Sequence, residues 1–296
     1  VITVATLDGQ STSGQLPNVA YNSDNIAFRH GGNTCIRSYL DGHVECSANM
    51  PELFPMAGMQ VWFNADNVKA NDGDKVNVLQ DMSGTHHDAT PYSSSAVPTY
   101  STNKQNKQPV VNFNGTPMRF DYVGEPVTVV LAGLDNLTSK PTSGGHTWIG
   151  GYSRSAGNFG AYYFRPAHQA GYASFDRRLS TVAGGGVANG TCTLTLNQFV
   201  VLSSRINENG YVDMFINNAN KVTGGTPLTD TRVPIEINTV NSTTTKETVL
   251  GGGYWNDNPG DNIAGYLGQV MMFDVPLTDQ ELDAVDKYLM RKYGVN

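Results

Sequence analysis

The sequence predicts an all-β protein built as a two-sheet jelly-roll sandwich, with a single helix at the C-terminal end. Many short segments rich in β-branched and aromatic residues are separated by turns that contain glycine, asparagine or proline. One long amphipathic pattern comes last, at residues 278–294. Many short strands with one helix are typical of sandwiches and jelly rolls, whereas parallel sheets need strands that alternate with helices.

The strand, turn and helix at residues 265–294 are the clearest unit of the chain. The apolar run 266–273 predicts a buried strand. Thr278 is a good N-cap, and Glu281 three residues later completes a capping box. Gly294 is placed to end the helix as its C′ residue. One buried helical stripe is predicted from Leu282, Val285, Leu289 and Tyr293.

The other strands are predicted from alternating or continuous apolar runs. They lie at 59–64, 75–81, 109–114, 118–122, 126–133, 146–152, 160–165, 170–175, 179–183, 199–205, 211–217 and 248–254. The segment 90–108 is polar and rich in serine and asparagine, which predicts a loop. Asn209-Gly210 lies between two predicted strands and indicates a hairpin with a type I′ turn.

Two motifs carry a resemblance to a known family. The C-terminal one is a strand ending in FDVPLTDQE, followed by a helix ending in YLMRKYG. The N-terminal one begins with WFNAD at 62–66, continues through Val76 and Asp81, and then shows SGTHHDA at 83–89. PVVNFNG at 109–115 fits the strand that follows. Together they resemble bacterial laminin-G-like domains of the concanavalin A-like lectin/glucanase superfamily, over about residues 55–294.

The resemblance implies a concanavalin A-like sandwich and says little about the ligand. Asp66 and Asp81 belong to the matched pattern, and we predict structural roles for both through turns and backbone hydrogen bonds. Adjacent His86 and His87 allow a metal site as an alternative, but neighbouring strand residues face opposite ways and the stretch fits the turn of the family pattern.

Residues 1–50 do not match this pattern and have few apolar residues for a core of their own. We predict a small N-terminal β module there, followed by the lectin-like domain at 55–296. Cys35 and Cys46 flank an Asp-Gly turn signal, which predicts a cysteine hairpin. A disulfide between them is expected in an oxidising compartment, and two free thiols are the alternative. Cys192 is left over, and we predict that it lies in a buried strand.

This layout, a cysteine hairpin before a larger variable domain, also resembles minor subunits and tip adhesins of type IV pili. The net charge of −7 argues against nucleic acid as a partner, because phosphate binding requires clustered Lys and Arg. No apolar run is long enough to span a membrane. The chain begins at Val1 without a signal peptide, which predicts a processed or excised piece of a longer protein. We expect an extracellular, bacterial surface protein.

Several sandwiches of the resembled superfamily are glucanases with clustered carboxylates on one strand. The nearest pattern here is Glu281, Asp283 and Asp286. These residues lie in the predicted helix, where positions i and i+2 point about 200° apart, so their carboxylates do not converge. No nucleophile elbow, zinc-protease motif or phosphate loop is present in the sequence. We predict no catalysis, with a glycosidase-like sandwich of dispersed carboxylates as the alternative.

The most ligand-like segment is 251–265, where aromatic residues stand beside amides and carboxylates. Sugars are recognised by an aromatic face that stacks on the ring and by planar polar groups that bind its hydroxyls. The candidate binding residues are Tyr254, Trp255, Asn256, Asp257, Asn258, Asp261 and Asn262. Asp257 and Asp261 are also candidate calcium ligands, since calcium prefers oxygen ligands. The alternative is an ordinary turn-rich loop.

A second candidate segment is 146–165, where glycines are interleaved with aromatic and basic residues. Its candidate binding residues are Trp148, Tyr152, Arg154 and Arg165. The alternative is that most of this segment is core strand. From both segments we predict a non-catalytic carbohydrate-binding adhesin domain that recognises cell-surface glycans at the tip of a bacterial pilus. The alternatives are a phage-tail or other surface-fibre receptor-binding module, a protein-binding laminin-G-like module, or an enzyme. Calcium is the one cofactor expected, and the partners expected are a glycan and a parent pilus or fibre.

Overall fold

A computed structural model describes most of the sandwich region and five strands nearer the N-terminus. The described residues are 57–121, 126–136, 145–151, 162–165, 167–168, 172–178, 187–193, 197–224, 247–255, 258–260 and 262–296, with the strands β1 Val4–Ala5, β2 Ser11–Thr12, β3 Asn25–His30, β4 Asn33–Ser38 and β5 Val44–Ser47. Within this part of the chain, no helix has the length and apolar character needed to cross a bilayer.

The remaining elements follow in chain order. They are β6 Met59–Asn64, a 3-10 helix at Ala65–Asn67, β7 Thr90–Pro91, β8 Thr99–Gln105, β9 Gln108–Asn112, β10 Met118–Asp121, β11 Thr128–Asp135, β12 Gly145–His146, β13 Ile149–Gly151, β14 Tyr162–Arg165, β15 Ala167–His168, β16 Tyr172–Arg178, β17 Val187–Thr193, β18 Val200–Ile206, β19 Val212–Ile216, β20 Ala219–Gly224, β21 Glu247–Leu250, β22 Gly253–Trp255, β23 Asn258–Gly260, β24 Gly265–Phe273 and α1 Asp279–Tyr293.

Two antiparallel sheets form the sandwich and confirm the predicted fold class. The eight-stranded sheet has the order β20-β19-β18-β11-β24-β9-β8, and β6 also pairs with β24. The seven-stranded sheet has the order β17-β16-β14-β13-β21-β10-β7. Neighbours in these sheets are far apart in sequence, as β11 and β24 show, so the sheets assemble through long connections rather than through hairpins alone.

The eight-stranded sheet is buried on both faces, while the seven-stranded sheet has one face toward the core. Between the sheets, Phe63 packs edge-on against Phe120 and Phe113 packs edge-on against Trp148. On the other face of the eight-stranded sheet, α1 covers a second apolar cluster that includes Trp62, Val130, Phe273, Leu282, Leu289 and Tyr293. This double burial explains why β11 reads as a nearly continuous apolar run.

Helix α1 begins and ends at the residues that the capping signals predict. Thr278 accepts a hydrogen bond from the Glu281 backbone, and the Glu281 carboxylate accepts one from the Thr278 backbone, which completes the capping box. Gly294 ends the helix in the left-handed conformation with φ 61°. The predicted stripe is buried against the sheet.

The helix carboxylates have structural partners. Glu281 serves the cap, and Asp283 lies 2.8 Å from the Asn218 amide nitrogen and 2.9 Å from Lys287 Nζ. Asp286 is fully buried, and its Oδ2 accepts a hydrogen bond from Ser203 Oγ at 2.8 Å. The contacts of Asp283 and Asp286 bind the helix to the turn after β19 and to β18.

The prediction of a loop over 90–108 is wrong, because this segment contains β7 and β8. Strand β8 pairs with β9 through a two-residue turn at Asn106-Lys107, where both residues have positive φ, 49° and 61°. That pair of angles is characteristic of a type I′ turn. Strand β8 is the last strand of its sheet. The residues of an edge strand need not alternate between apolar and polar, so the polar sequence of β8 did not predict a strand.

Other boundaries also differ from the sequence predictions. The predicted strand 75–81 forms only isolated bridges, whereas β17 and β20, both at sheet edges, were not predicted. At Asn209-Gly210 only Gly210 has positive φ, so the predicted type I′ turn is wrong there. The type I′ geometry lies instead at Asn217-Asn218, between β19 and β20. The predicted strand 179–183 lies outside the described residues.

The N-terminal strands β3, β4 and β5 form a three-stranded antiparallel sheet, and β1 pairs with β2. Cys35 and Cys46 lie directly opposite each other in register, so the predicted cysteine hairpin is present. The disulfide itself stays a prediction, as does the division into two domains. Cys192 lies in β17, a strand as expected.

Candidate functional site

The candidate segment 251–265 contains a small β-hairpin. Strands β22 and β23 pair with Tyr254 opposite Pro259 and with Trp255 opposite Asn258. The Trp255–Asn258 pair is the last pair of this ladder, and residues 256 and 257 between the two strands lie outside the described residues. The backbone pairing therefore places an aromatic residue opposite an amide residue, the combination from which the sequence predicts sugar recognition.

The base of this hairpin is attached to the core of the sandwich. The Gly251 backbone nitrogen donates to the Trp148 carbonyl at 2.7 Å, and the Gly251 carbonyl accepts from the Ile263 nitrogen at 3.0 Å. Gly251 has φ 79°, and a Cβ there would lie 2.2 Å from the Phe113 ring. Glycine is therefore required at the point where the chain leaves β21 and enters the hairpin.

The hairpin packs on the outer face of the seven-stranded sheet. Gly150 in β13 lies on this face, because its neighbour Ile149 points into the core. A Cβ at Gly150 would lie 2.8 Å from the Gly253 Cα and 3.2 Å from the Gly252 carbonyl oxygen. The two candidate segments, predicted separately from the sequence, thus adjoin through a glycine contact.

Replacing Gly150 with alanine is expected to displace the hairpin, because the added methyl group would overlap the Gly253 backbone. Overpacking of this kind costs about 1–3 kcal/mol of unfolding free energy. Amide hydrogen exchange of residues 253–260 should become faster, and urea unfolding should show the loss of stability.

The control for this variant is Gly73→Ala. Gly73 has φ 83°, and no atom lies within 4 Å of the position that a Cβ would take there, so alanine strains the backbone without touching the hairpin. The Gly73→Ala variant should lose about 1 kcal/mol of unfolding free energy, because alanine is strained in the left-handed conformation. Amide hydrogen exchange of residues 253–260 should stay at the wild-type rate. Amide hydrogen exchange of the hairpin at the wild-type rate in Gly150→Ala would contradict the packing of Gly253 on Gly150.

A polar rim lies next to the hairpin, at the end of the sandwich where β11 ends and β24 begins. The His146 Nδ1 lies 2.9 and 3.0 Å from the two carboxylate oxygens of Asp135, which is 8% exposed. The Asn262 amide nitrogen donates to the Gly115 carbonyl at 3.4 Å, and among the described residues no partner is found for its buried Oδ1. The rim thus holds an imidazole oriented by Asp135 and an amide held by Gly115, near the base of the hairpin.

The structure places the predicted binding residues in different surroundings. Trp148 is 1% exposed and packs edge-on against Phe113, so it is a core residue and presents no ring face to a sugar. Arg165 is half-buried at the end of β14, opposite Ser174. Outside the described residues lie Tyr152, Arg154, Asn256, Asp257 and Asp261. For Tyr254, Trp255 and Asn258 the structure describes the backbone of the hairpin.

No group of three His, Cys, Asp or Glu side chains that could hold a metal converges among the residues that the structure describes. His87 instead donates its backbone N–H to Asp81. The predicted calcium ligands lie outside those residues, so calcium stays a prediction.

Asp135 was not predicted from the sequence, although a carboxylate that directly follows the apolar run of β11 could have indicated a polar site at the end of that strand.

The fold is similar to that of two solved binding domains and one enzyme. No family model matches the chain, and no curated protein matches its sequence. The binding domain of Paraclostridial Mosquitocidal Protein 1 superposes with a TM-score of 0.51 at 8% identity, over 77% of this chain and 52% of that structure. The botulinum neurotoxin serotype D binding domain gives 0.50 at 12%, over 78% and 51%.

A mutant of Trypanosoma rangeli sialidase that displays trans-sialidase activity gives a TM-score of 0.51 at 10% identity, over 93% of this chain and 44% of that structure. The chain therefore spans about half the length of these three structures. Identities this low show the fold alone. The laminin-G-like motifs remain a resemblance.

Proposed function

We propose that this protein is a non-catalytic carbohydrate-binding adhesin domain that recognises cell-surface glycans. The observation that carries the proposal is the hairpin β22–β23, whose closing pair is Trp255 and Asn258. The hairpin packs through glycines on the outer sheet face and adjoins a rim with His146 and Asn262. Aromatic residues on a fixed hairpin, next to amide and imidazole groups, suit the apolar face and the hydroxyls of a sugar ring.

Two further features support the proposal. Two of the similar folds are named as binding domains, one of a mosquitocidal protein and one of a botulinum neurotoxin, and the third belongs to a mutant sialidase. The carboxylates Glu281, Asp283 and Asp286, the nearest sequence pattern to a glucanase site, are engaged in the helix cap and in helix packing. We further propose that the domain lies at the tip of a bacterial pilus, because its cysteine hairpin at residues 33–47 precedes a larger domain, as in pilus tip adhesins.

The test is a glycan array with the wild-type protein and with Trp255→Ala. Binding should weaken by about 30-fold in the variant, since loss of a central aromatic anchor costs about 2 kcal/mol. Tyr211→Ala is the matched control, because Tyr211 is an exposed aromatic residue in the turn between β18 and β19. The control should bind as the wild type does.

Each outcome has a definite meaning. Equal binding by wild type and Trp255→Ala would move the site away from the hairpin. Absence of binding to every glycan would overturn the lectin proposal and favour a protein-binding module. The array is repeated with calcium and with a chelator, and a loss of binding in the chelator would support calcium at Asp257 and Asp261.

A further inference from the structure

We propose that the glycan site extends across the outer face of the seven-stranded sheet to a second subsite formed by Tyr92, Arg119 and Glu247, which takes a neutral sugar residue of an oligosaccharide. This inference rests on the proposed function, because the hairpin β22–β23 is taken as the first subsite. None of the three residues was singled out by the sequence analysis. Met118 and Phe120 of β10 lie in the core, so the alternation of a strand places Arg119 between them on the outer face of the sheet.

The register of three neighbouring strands connects the two subsites. Arg119 in β10 lies opposite Val249 in β21, and Val249 lies opposite Gly150 in β13. Adjacent strands are about 4.8 Å apart, so Arg119 and Gly150 are about 10 Å apart across the sheet. Since the backbone of Gly253 covers Gly150, Arg119 lies within the length of a disaccharide from the base of the hairpin.

Val249 occupies the outer face of the sheet between the two subsites. Val249 points away from the central core, yet it is fully buried, with Tyr92 packed against it. Tyr92 is fixed by its backbone nitrogen, which donates to the Pro117 carbonyl at 2.9 Å, and by the pairing of β7 with β10. Tyr92 therefore covers Val249 on one side while the hairpin covers Gly150 on the other, and a glycan chain can cross from one to the other.

The second subsite combines an aromatic ring with a donor and an acceptor. The Arg119 guanidinium carbon lies 5.5 Å from the Tyr92 ring centroid, and Arg119 Nη1 lies 3.0 Å from Glu247 Oε1. Arg119 is 45% exposed. A guanidinium has five N–H donors and a carboxylate about four acceptor positions, so this pair offers both kinds of hydrogen bond to adjacent sugar hydroxyls.

The charges of the subsite favour a neutral sugar over an acidic one. Glu247 offsets the charge of Arg119, and Asp121, exposed on the same face, lies opposite Glu247 in register. The summed charge of one guanidinium and two carboxylates is negative, which disfavours the binding of a sugar that carries a carboxylate. The chain as a whole also carries a net charge of −7.

The experiment is isothermal titration of the wild type, Tyr92→Ala and Arg119→Ala with defined saccharides. The probes are lactose, maltotetraose, cellotetraose, chitotetraose and mannotriose, each paired with its monosaccharide, and sialyllactose as the acidic member. For the oligosaccharides that the wild type binds, both variants should raise Kd about tenfold, while Kd for the monosaccharide at the hairpin stays unchanged. Tyr211→Ala and Arg291→Ala are the matched controls and should leave both constants unchanged.

The outcomes separate this inference from the proposed function. If Trp255→Ala weakens binding while Tyr92→Ala and Arg119→Ala bind oligosaccharides like the wild type, the second subsite is wrong and the lectin function stands. If sialyllactose binds more tightly than neutral lactose and this preference disappears in high salt, the neutral specificity is wrong. If the wild type binds none of the saccharides, both proposals fail. Thermal unfolding of each variant verifies that the fold is intact, and Arg119→Gln repeats the test with a smaller change.

Discussion

Replacing Asp81 with alanine is expected to lower the free energy of unfolding by about 3–5 kcal/mol. The Asp81 side chain is 4% exposed. Its Oδ1 accepts from the backbone nitrogens of Trp62 and Ser83, both at 2.9 Å, and its Oδ2 accepts from Ser83 Oγ, Thr85 Oγ1 and the His87 nitrogen. Alanine would remove the carboxylate that accepts from the backbone N–H groups of Trp62, Ser83 and His87. The hydroxyls of Ser83 and Thr85 keep the Gln60 carbonyl as an acceptor, so the loss falls mainly on the backbone donors, whose burial without an acceptor carries a desolvation penalty.

Urea unfolding measures this effect, with Asp72→Ala as the matched control. Asp72 is exposed, and its Oδ1 accepts from the Thr102 backbone nitrogen at 2.9 Å, so its removal should cost less than about 1 kcal/mol. Asp81→Asn should fall between the two, because the amide keeps one acceptor oxygen and turns the other position into a donor. A loss of stability in Asp81→Ala no larger than that in Asp72→Ala would contradict the role of Asp81 as an organising acceptor.

Replacing Asp286 with asparagine is expected to stabilise the protein at alkaline pH. Asp286 lies on the buried side of helix α1. Its burial raises the pKa of its carboxyl from 3.8 to about 7, against the opposing effect of the Ser203 hydrogen bond. The folded protein therefore holds this proton more tightly than the unfolded chain does. The stability that protonation contributes is complete below pH 4 and is lost as pH rises through about 7.

The size of the effect follows from the shift in pKa. A displacement from 3.8 to about 7 corresponds to a loss of up to about 4 kcal/mol of unfolding free energy on the alkaline side. An amide carries no ionisable proton and can still accept from Ser203 Oγ. Asp286→Asn should therefore remove most of the decline in stability between about pH 4 and pH 7, which urea unfolding at several pH values measures.

Asp283→Asn is the control on the same helix. Hydrogen bonds from Lys287 and Asn218 hold the pKa of the Asp283 carboxyl below its usual value, so its contribution is lost as pH falls rather than as pH rises. This variant should leave the decline on the alkaline side unchanged. A wild-type protein whose stability is constant from pH 5 to 9, or an Asp286→Asn variant that declines as the wild type does, would contradict the buried carboxyl.

The amino-acid sequence by itself determined those features that depend on neighbours along the chain. Helix α1 begins after Thr278 and ends at Gly294, because capping and left-handed termination need only residues a few positions apart. Strand β6 occupies the predicted range 59–64. The fold class also followed, since many short strands with one helix leave few other architectures.

The tertiary structure alone decided the features that depend on partners distant in sequence. Strand β8 is polar and is held by its pairing with β9, and Trp148 entered the core because β13 lies between β14 and β21. The glycine contact between Gly150 and Gly253 brought two candidate segments together, and the register of β10, β21 and β13 brought Arg119 within reach of the hairpin. Which distant residues become neighbours is set by the order of strands in the sheets, and strand order is a property of the whole packed chain.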